Sequence, residues 1–359
     1  MNSFGRKLIL TTFGESHGAA IGGVLDGFPA GVKIYEEFLQ GELDKRKPGQ
    51  SKFTTARKEG DKIEILSGIF EGVSTGTPIG FVIYNENQKS KDYENLREIF
   101  RPGHADYTYF KKYTIRDHRG GGRSSARETA VRVAGGAFAQ ILLNEFGVKV
   151  ESGVSGVGTV KAQKFDFGAA GNSEIFALDK ENLMMDEILK AKQAHDSVGA
   201  SVITRILNTP AGLGEGLYDK LDARLAAAMM GINGVKAVEI GEGVKASAML
   251  GSENNDHMNE VGFLSNHAGG ILGGMSTGAE ILITTHFKPT PSIFLAQQTQ
   301  NIHGKNAICE LRGRHDPCIG IRGSVVATAM ARLVIADFML LNLSANLGNL
   351  KRLYNQQPH

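Results

Sequence analysis

Three consecutive glycines at positions 120–122 lie among arginines and lead into a sequence typical of a helix start. Successive glycines allow neighbouring backbone N–H groups to converge on one point. Ser125 and Glu128 fit the Ser-x-x-Glu capping box, which predicts a helix whose free N–H groups and positive dipole end favour an anion. Three arginines add fixed charge: Arg119, Arg123 and Arg127. A flexible basic loop before an ordinary capped helix explains the same residues equally well.

Glycine is also the residue that sets the composition apart. Of the 359 residues, 46 are glycine, nearly twice the average fraction of about 7%. This content predicts many tight turns or close backbone approaches, as around a bound ligand. The formal net charge is only +2, so no field of the whole protein indicates nucleic acid. Positive charge is instead concentrated in two segments, 45–58 and 111–127, which suits a small polyanion better than a duplex.

Cysteine content and apolar segments indicate the compartment. Cys309 and Cys318 are too few for a disulfide scaffold and lack metal-ligand spacing. The N-terminal residues lack the pattern of a signal peptide. The longest apolar stretch, 325–343, contains Arg332 and Asp337, which favours a buried helix over a membrane span. We therefore expect a cytoplasmic protein that does not bind a membrane.

The order of periodic segments indicates the fold class. Linkers and repeats are not evident, so a single domain is predicted over 1–359. Predicted strands are 62–66, 79–84, 148–154, 201–207, 244–250 and 281–287, and predicted helices are 126–146, 181–194, 219–230 and 324–343. Several strands alternate apolar and polar residues, as half-buried antiparallel strands do. Because strands and helices do not alternate regularly, an α+β fold is favoured over a doubly wound parallel sheet.

Two histidines follow small residues in turn-like segments. His17 lies in 13–18, and His104 lies in 101–106 behind Arg101. The unperturbed pKa of histidine, near 6.5, suits general acid catalysis at neutral pH. A hydrogen-bonded turn histidine is the alternative for each.

Three later segments have the residues of a ligand site. The glycine-rich loop 266–274 permits close backbone approach but lacks the spacing of a Rossmann or Walker motif. In 288–292, a lysine and two hydroxyls lie on a backbone stiffened by two prolines, which can hold a phosphate or a flavin edge. In 312–318, Asp316 lies beside a histidine and near two arginines, which favours an ionised base or a structural ion pair.

Together, six segments resemble those of the chorismate synthase family, in the family's order and over essentially the whole length. They are 14–18, 101–106, 119–129, 266–274, 288–292 and 313–318. The resemblance implies the last step of the shikimate pathway, in aromatic amino acid biosynthesis. In that step an anti-1,4-elimination of phosphate from 5-enolpyruvylshikimate 3-phosphate gives chorismate. It also implies reduced FMN without net redox change, and a β-α-β sandwich with helices packed between two antiparallel sheets, assembled as a homotetramer.

The resemblance also implies roles for individual residues. His17 would protonate the departing phosphate, His104 would protonate or stabilise the anionic reduced flavin, and Asp316 would help take the proton at flavin N5. The implied FMN contacts are Arg123, Ser124, Ser125, Asn233, Gly234, Gly273, Lys288, Pro289, Thr290, Pro291, Ser292 and Arg314. The implied contacts to substrate or NADP anions are Arg46 and Lys52.

One departure from the family pattern concerns the second anion contact. The family commonly has arginine at the position of Lys52, and lysine keeps the charge but loses the bidentate fork. The resemblance also implies NADPH as a reductant. Because the chain has no evident reductase domain, we expect a separate flavin reductase as partner.

Two other classes of protein share some of these features. An NAD(P)H-dependent flavin oxidoreductase would use similar loops. A non-catalytic binder of anions or nucleic acid would use the basic segments. The second is disfavoured by an aromatic content of 7% without tryptophan, since bases stack on aromatic side chains.

Overall fold

The computed structural model describes residues 1–49, 51–55, 59–86, 95–311 and 315–355. The strands of the described residues are β1 (Ser3–Phe4), β2 (Ile9–Gly14), β3 (Ala20–Asp26), β4 (Ile63–Ile65), β5 (Ile69–Phe70), β6 (Val73–Ser74), β7 (Ile79–Tyr84), β8 (Lys149–Val157), β9 (Val160–Lys161), β10 (Ala200–Leu207), β11 (Val235–Ile240), β12 (Met258–Asn259), β13 (Gly262–Phe263), β14 (Ile271–Leu272), β15 (Met275–Ser276), β16 (Ile281–Phe287), β17 (Gln297–Gln300) and β18 (Asn306–Cys309).

The α-helices of the same residues are α1 (Glu36–Arg46), α2 (Asp106–Tyr113), α3 (Thr129–Asn144), α4 (Phe167–Asn172), α5 (Glu181–Gln193), α6 (Leu221–Met230), α7 (Gly251–Asn254), α8 (Gly320–Leu341) and α9 (Leu347–Tyr354). Short 3₁₀ helices include Gly122–Ser124, Ala126–Glu128 and Gly243–Ala248.

Two five-stranded antiparallel sheets form the outer layers of the fold. The first has the order β1-β2-β3-β7-β4 and the second β11-β16-β10-β8-β9. In the first, Ile21 of β3 is opposite Ile83 of β7, and both are fully buried. In the second, Val202 of β10 is opposite Val154 on one side and Thr285 on the other. Alternate residues of each sheet therefore face a shared interior.

Two long helices fill the space between the sheets. The α3 helix packs against β2, β3 and α8, and α8 packs against β8 and β10. A Cβ on Gly136 of α3 would lie 2.5 Å from the Cα of Ala329 in α8, so glycine allows this close approach. One hydrophobic cluster continues through both sheets and the helices. The predicted α+β sandwich is confirmed, and the continuous core supports the single domain we predict over 1–359.

The helix α8 is long and apolar enough to cross a membrane, yet 83% of its most apolar window is buried inside the protein. Its charged residues have internal partners. Arg332 pairs with Glu42 of α1, and the carboxylate of Asp337 accepts backbone hydrogen bonds from Arg6, Lys7 and Leu8. The predicted buried helix is confirmed, because these partners compensate the charges within the core.

Local predictions differ from the structure at two places. Ser125 caps the helical segment through a hydrogen bond from Arg127 N, whereas the Glu128 carboxylate binds Thr12 and Arg132, so the reciprocal capping box does not form. The strand predicted over 244–250 is wrong. Glycines at 241 and 243 have φ of +58° and +55° and turn the chain away from the sheet after β11, into a 3₁₀ helix.

Candidate active site

A cavity of about 660 Å³ lies where segments distant in sequence meet. Its wall includes His17, the loop before α2, residues 123–127, the strand β11 with the turn before it, residues 288–292 and the start of α8. The N-terminal ends of α3 and α8 both reach this wall, so the positive ends of two long helix dipoles favour an anion there. The volume falls within the range of small-molecule sites, roughly 300–1,000 Å³.

The three consecutive glycines leave room for side chains from other segments. All have left-handed backbone, with φ of +65°, +95° and +54°. A Cβ on Gly120 would lie 2.0 Å from Cε1 of His17, and one on Gly121 would lie 3.0 Å from Cε1 of His104. A Cβ on Gly122 would lie 2.5 Å from a carboxylate oxygen of Glu15. The triplet therefore makes room for both predicted catalytic histidines, and the anion cradle expected of these glycines stays a prediction.

His17 follows β2 and is 6% exposed. Its Nδ1 lies 3.2 Å from Oγ of Ser16, which is itself 1% exposed. Burial and this hydrogen bond limit rotation of the ring, and the ring lines the cavity. His17 is therefore placed for proton exchange with a ligand inside the cavity.

His104 lines the cavity from the loop that precedes α2. Its Nδ1 lies 3.0 Å from Oδ1 of Asp106, and Arg101 binds the same carboxylate through Nε at 2.7 Å and Nη2 at 2.8 Å. Burial lowers the pKa of His104, although the hydrogen bond to Asp106 opposes this effect. The lowered pKa favours the neutral form of the ring.

Asp316 lies just before α8, and both of its carboxylate oxygens accept hydrogen bonds. Oδ1 accepts from the backbone N of Thr55 at 3.0 Å, and Oδ2 accepts from Nη1 of Arg322 at 2.8 Å. Asp316 lines the cavity together with Arg322. A carboxylate oxygen has two lone pairs, so each oxygen keeps capacity for a further proton or donor.

Positive charge dominates the described residues of the cavity wall, in which Asp316 is the one carboxylate. The lysines and arginines are Arg101, Arg123, Arg127, Arg132, Lys236, Lys288 and Arg322. Carboxylates outside the wall pair with four of the arginines: Asp106 binds Arg101, Asp61 binds Arg127, and Glu128 binds Arg132 and lies 3.9 Å from Arg123. The pKa of Lys288 is lowered by burial and by the charge of Lys236. Such a wall suits a ligand with several negative charges.

Most of the predicted FMN contacts line this cavity. They are Arg123, Ser124, Ser125, Asn233, Gly234, Lys288, Pro289, Thr290, Pro291 and Ser292. Asn233 donates to the carbonyl of Ser124 at 2.8 Å, which joins two of the segments. Lys288 donates to the carbonyl of Gly103 at 2.5 Å, which joins two more. The structure thus brings together, on one concave surface, residues from nearly the whole length of the chain.

Two other predicted residues lie elsewhere. Gly273 is exposed in the turn between β14 and β15 and does not line the cavity. Lys52 is also exposed, with its Nζ 5.1 Å from the ring centroid of Phe53. Arg314 falls outside the described residues. The roles predicted for these three residues stay predictions.

Arg46 is fully buried rather than exposed to the cavity. Its guanidinium binds the carboxylate of Asp61, which also binds Arg127. Burial lowers the pKa of Arg46 to about 10, opposed by the charge of Asp61. Burial raises the pKa of Asp61, but the two arginines outweigh it and hold the value at about 2. Arg46 therefore lies behind the wall and is joined to Arg127 through Asp61.

Sequence reasoning did not select three cations of the wall: Arg132, Lys236 and Arg322. Arg322 has a signal in the sequence, since it is a charged residue just before the apolar run 325–343. Lys236 follows the predicted Asn233–Gly234 contact by two residues. Arg132 has a weaker signal, its spacing of four residues from Glu128.

Comparison with known proteins agrees with this geometry. The family model described as chorismate synthase matches residues 8–340. The chorismate synthase of Campylobacter curvus (strain 525.92) is 72% identical over 354 residues, which cover 99% of this chain and 100% of that protein. The chorismate synthase of a Nitratiruptor species is 61% identical over 356 residues, with 99% and 100% covered. A crystal structure of a chorismate synthase superposes with a TM-score of 0.76 at 29% identity, covering 98% of this chain and 97% of that one. The chain belongs to the chorismate synthase family, a family of carbon–oxygen lyases.

Proposed function

We propose that the 660 Å³ cavity is where this lyase eliminates phosphate from 5-enolpyruvylshikimate 3-phosphate to give chorismate, with reduced FMN bound beside the substrate. The main support is the composition of the wall, which combines seven lysine and arginine side chains with His17, His104 and a single described carboxylate. The substrate has a phosphate and two carboxylates, and FMN adds a second phosphate. Two ligands with this many negative charges need an excess of positive charge around them when they leave water.

The residues present fit a flavin nucleotide. Thr290 Oγ1 is buried and makes no hydrogen bond to any described residue. Lys236 makes no ion pair with the described residues, and its charge lowers the pKa of the neighbouring Lys288. An unpaired hydroxyl and two adjacent cations are the groups that a phosphate or a ribityl chain would satisfy. We propose that the cavity-lining FMN contacts named above hold the cofactor, with Arg314 and Gly273 as further predicted contacts.

The chemistry that bound reduced FMN would supply is transient electron density that assists cleavage of the C–O bond, without net redox change. His17 provides the proton for the departing phosphate oxygen. Its burial against Gly120 keeps the imidazole facing the cavity, and the cations around it stabilise the charge that develops on the phosphate.

His104 and Asp316 exchange the remaining protons. The Nε2 of His104 is available to gain or lose a proton, because Nδ1 is bound to Asp106. A bound anionic flavin would raise the pKa of His104 from its lowered value and so favour the protonated ring. The carboxylate of Asp316 would help take the proton at flavin N5 and so relay the proton released from C6, and its hydrogen bonds from Arg322 and Thr55 fix its orientation.

The remaining assignments concern reductant, assembly and compartment. We propose NADPH as the ultimate reductant, supplied through a separate flavin reductase, and a cytoplasmic homotetramer without a nucleic-acid partner. Arg46 contributes by orienting Arg127 through Asp61. Lys52 stays a predicted contact to substrate or NADP anions.

Anaerobic incubation with chemically reduced FMN and 5-enolpyruvylshikimate 3-phosphate tests the proposal. We expect release of one phosphate for each chorismate formed, with no consumption of NADPH. Absence of both products with folded, flavin-binding protein would refute the function. Stoichiometric NADPH oxidation coupled to substrate would instead indicate a flavin oxidoreductase. An aerobic assay with NADPH and oxidised FMN checks the reductase partner, and we expect no turnover without one.

A further inference from the structure

His104 is joined to a carboxylate that lies outside the cavity. The Nδ1 of His104 lies 3.0 Å from Oδ1 of Asp106, the first residue of α2. The Asp106 side chain is only 2% exposed and does not line the 660 Å³ cavity. It lines a neighbouring cavity of about 300 Å³ instead. Asp106 can therefore affect the reaction only through the wall residues that it contacts, His104 and Arg101.

Two arginines fix the position of this carboxylate. Its Oδ2 accepts from the backbone N of Arg101 at 3.1 Å and from Nε of the same residue at 2.7 Å, and its Oδ1 accepts from Nη2 at 2.8 Å. Arg116 adds an ion pair to Oδ2 at 3.3 Å. The Arg116 guanidinium is itself held by the carbonyls of Leu96 and Ile99. The carboxylate is thus bound on both oxygens and cannot rotate away from the ring.

The same contacts fix the charge of Asp106. Burial raises its pKa, but the hydrogen bonds from Arg101 and His104 outweigh burial and hold the pKa well below its usual range. An ionised carboxylate can only accept hydrogen bonds. The Nδ1 of His104 must therefore carry a hydrogen in both charge states of the ring. Nε2 is then the nitrogen at which a proton is gained or lost, and it has no hydrogen bond to the described residues.

We propose that Asp106 is a positioning residue, which holds His104 in the Nδ1–H tautomer and presents Nε2 to the ligand. The inference rests on the proposed role of His104 in proton exchange. The competing interpretation is that Asp106 only joins Arg101 to Arg116 at the start of α2. The two differ in what a substitution does to the ring, because a purely structural carboxylate would change stability and leave the tautomer and pKa of His104 as they were.

Asp106→Asn tests this by removing the charge with little change in shape. We expect the ring of His104 to lose its single tautomer, and its pKa to fall below that of the wild type. The fall is expected because the groups facing the ring would then be Arg101 and Lys288, which lower the pKa, without the carboxylate that raises it. Nitrogen NMR of labelled histidine in the flavin-free protein reads both quantities. For kcat we expect a loss of roughly 10- to 100-fold, typical of groups that orient a functional histidine, with KM changed less than about twofold.

A matched control exists in the second sheet. The Nε2 of His286 lies 2.7 Å from Oε1 of Glu239, and neither residue lines the cavity. Glu239→Gln removes the carboxylate charge from a more exposed histidine pair, so it shows whether loss of such a pair away from the cavity changes kcat. We expect the kcat of Glu239→Gln to match the wild type.

The double variant His104→Ala/Asp106→Asn separates the two interpretations by kinetics. If Asp106 acts through His104, the double variant loses no more kcat than His104→Ala alone. A further multiplicative loss, or an unchanged tautomer and pKa of His104 in folded Asp106→Asn, would overturn the inference. If His104→Ala keeps full activity, the role proposed for His104 fails, whereas the NMR measurement still decides whether Asp106 sets the tautomer.

Asp106→Glu provides the test if Asp106→Asn does not fold. This variant keeps the charge on a side chain that is longer by one methylene. We expect the Nδ1–H tautomer to persist and the pH profile of kcat to remain close to that of the wild type. A ring in the Nε2–H tautomer in folded Asp106→Glu would contradict the proposal.

Discussion

Replacing Gly120 with alanine should disable His17 without changing any residue that contacts the ligand through its side chain. The added Cβ would lie 2.0 Å from Cε1 and 2.1 Å from Nδ1 of the ring. To restore an ordinary contact of 3.4 Å, the ring must retreat by about 1.4 Å. A misplacement of about 1 Å can cost roughly 100-fold in rate. We therefore expect kcat to fall by about two orders of magnitude, with FMN still bound.

The change also has a backbone cost that a control can isolate. Gly120 has φ of +65°, a left-handed conformation that costs alanine about 1–2 kcal/mol. Gly147, after α3, has nearly the same φ of +68°, and a Cβ there would meet nothing within 4 Å. Gly147→Ala should therefore lose about the same backbone stability while keeping kcat. The difference between the two variants is the effect of the contact with His17.

Anaerobic steady-state release of phosphate measures kcat, and urea unfolding measures stability. If the kcat of Gly120→Ala lies within about twofold of that of Gly147→Ala, Gly120 does not position His17. The double variant His17→Ala/Gly120→Ala provides a further check. Removing the ring should recover the part of the stability lost to the contact, but not the turnover.

Three other predictions address the histidines, the cofactor cations and the buried ion pairs. His17→Ala and His104→Ala should each fold and bind FMN but lose roughly 10²–10⁴-fold in kcat. A variant that is less stable, but whose folded fraction turns over normally, would indicate that the histidine has only a structural role. Lys236→Ala should raise the Kd of FMN by about tenfold or more in a fluorescence titration, whereas Lys245→Ala, an exposed lysine beside Glu242, should not. Asp61→Asn should lower the free energy of unfolding, measured in urea at neutral pH, by about 3–5 kcal/mol. The difference in unfolding free energy between wild type and Asp61→Asn should be complete above about pH 4 and shrink as the pH falls toward 2. The reason is that the pKa of Asp61 in the folded protein, about 2, lies below the ordinary value of 3.8. A difference that does not change with pH would contradict this prediction.

Local pattern was sufficient for most of the secondary structure. The strand predicted over 281–287 is β16 itself, and the helix predicted over 181–194 is α5 to within one residue. The alternation of buried Ile281 and Ile283 with half-buried neighbours explains why periodicity succeeded there. It failed at 244–250, because the left-handed glycines before that segment direct it away from the sheet. Val244 and Leu250 are accordingly more than two-thirds exposed.

The site was predictable as a set of segments but not as an arrangement of charges. The sequence alone indicated His17, His104, Asp316 and the flavin loops, because each lies in a short motif whose residues are neighbours in the chain. It could not show which of two arginines lines the cavity, Arg46 in a basic segment or Arg322 before an apolar run. Only the tertiary structure buries Arg46 against Asp61 and exposes Arg322 to the cavity.

The glycines at 120–122 show the same division. The sequence determined that this turn needs residues without a Cβ, as the left-handed backbone confirms. The tertiary structure decided which side chains occupy the space that the missing Cβ atoms leave. His17, 103 positions before Gly120, fits against that glycine, and His104, 17 positions before Gly121, fits against the next one. Backbone preferences act between neighbours in the chain, whereas steric fit and ion pairing depend on which distant residues the packed core brings together.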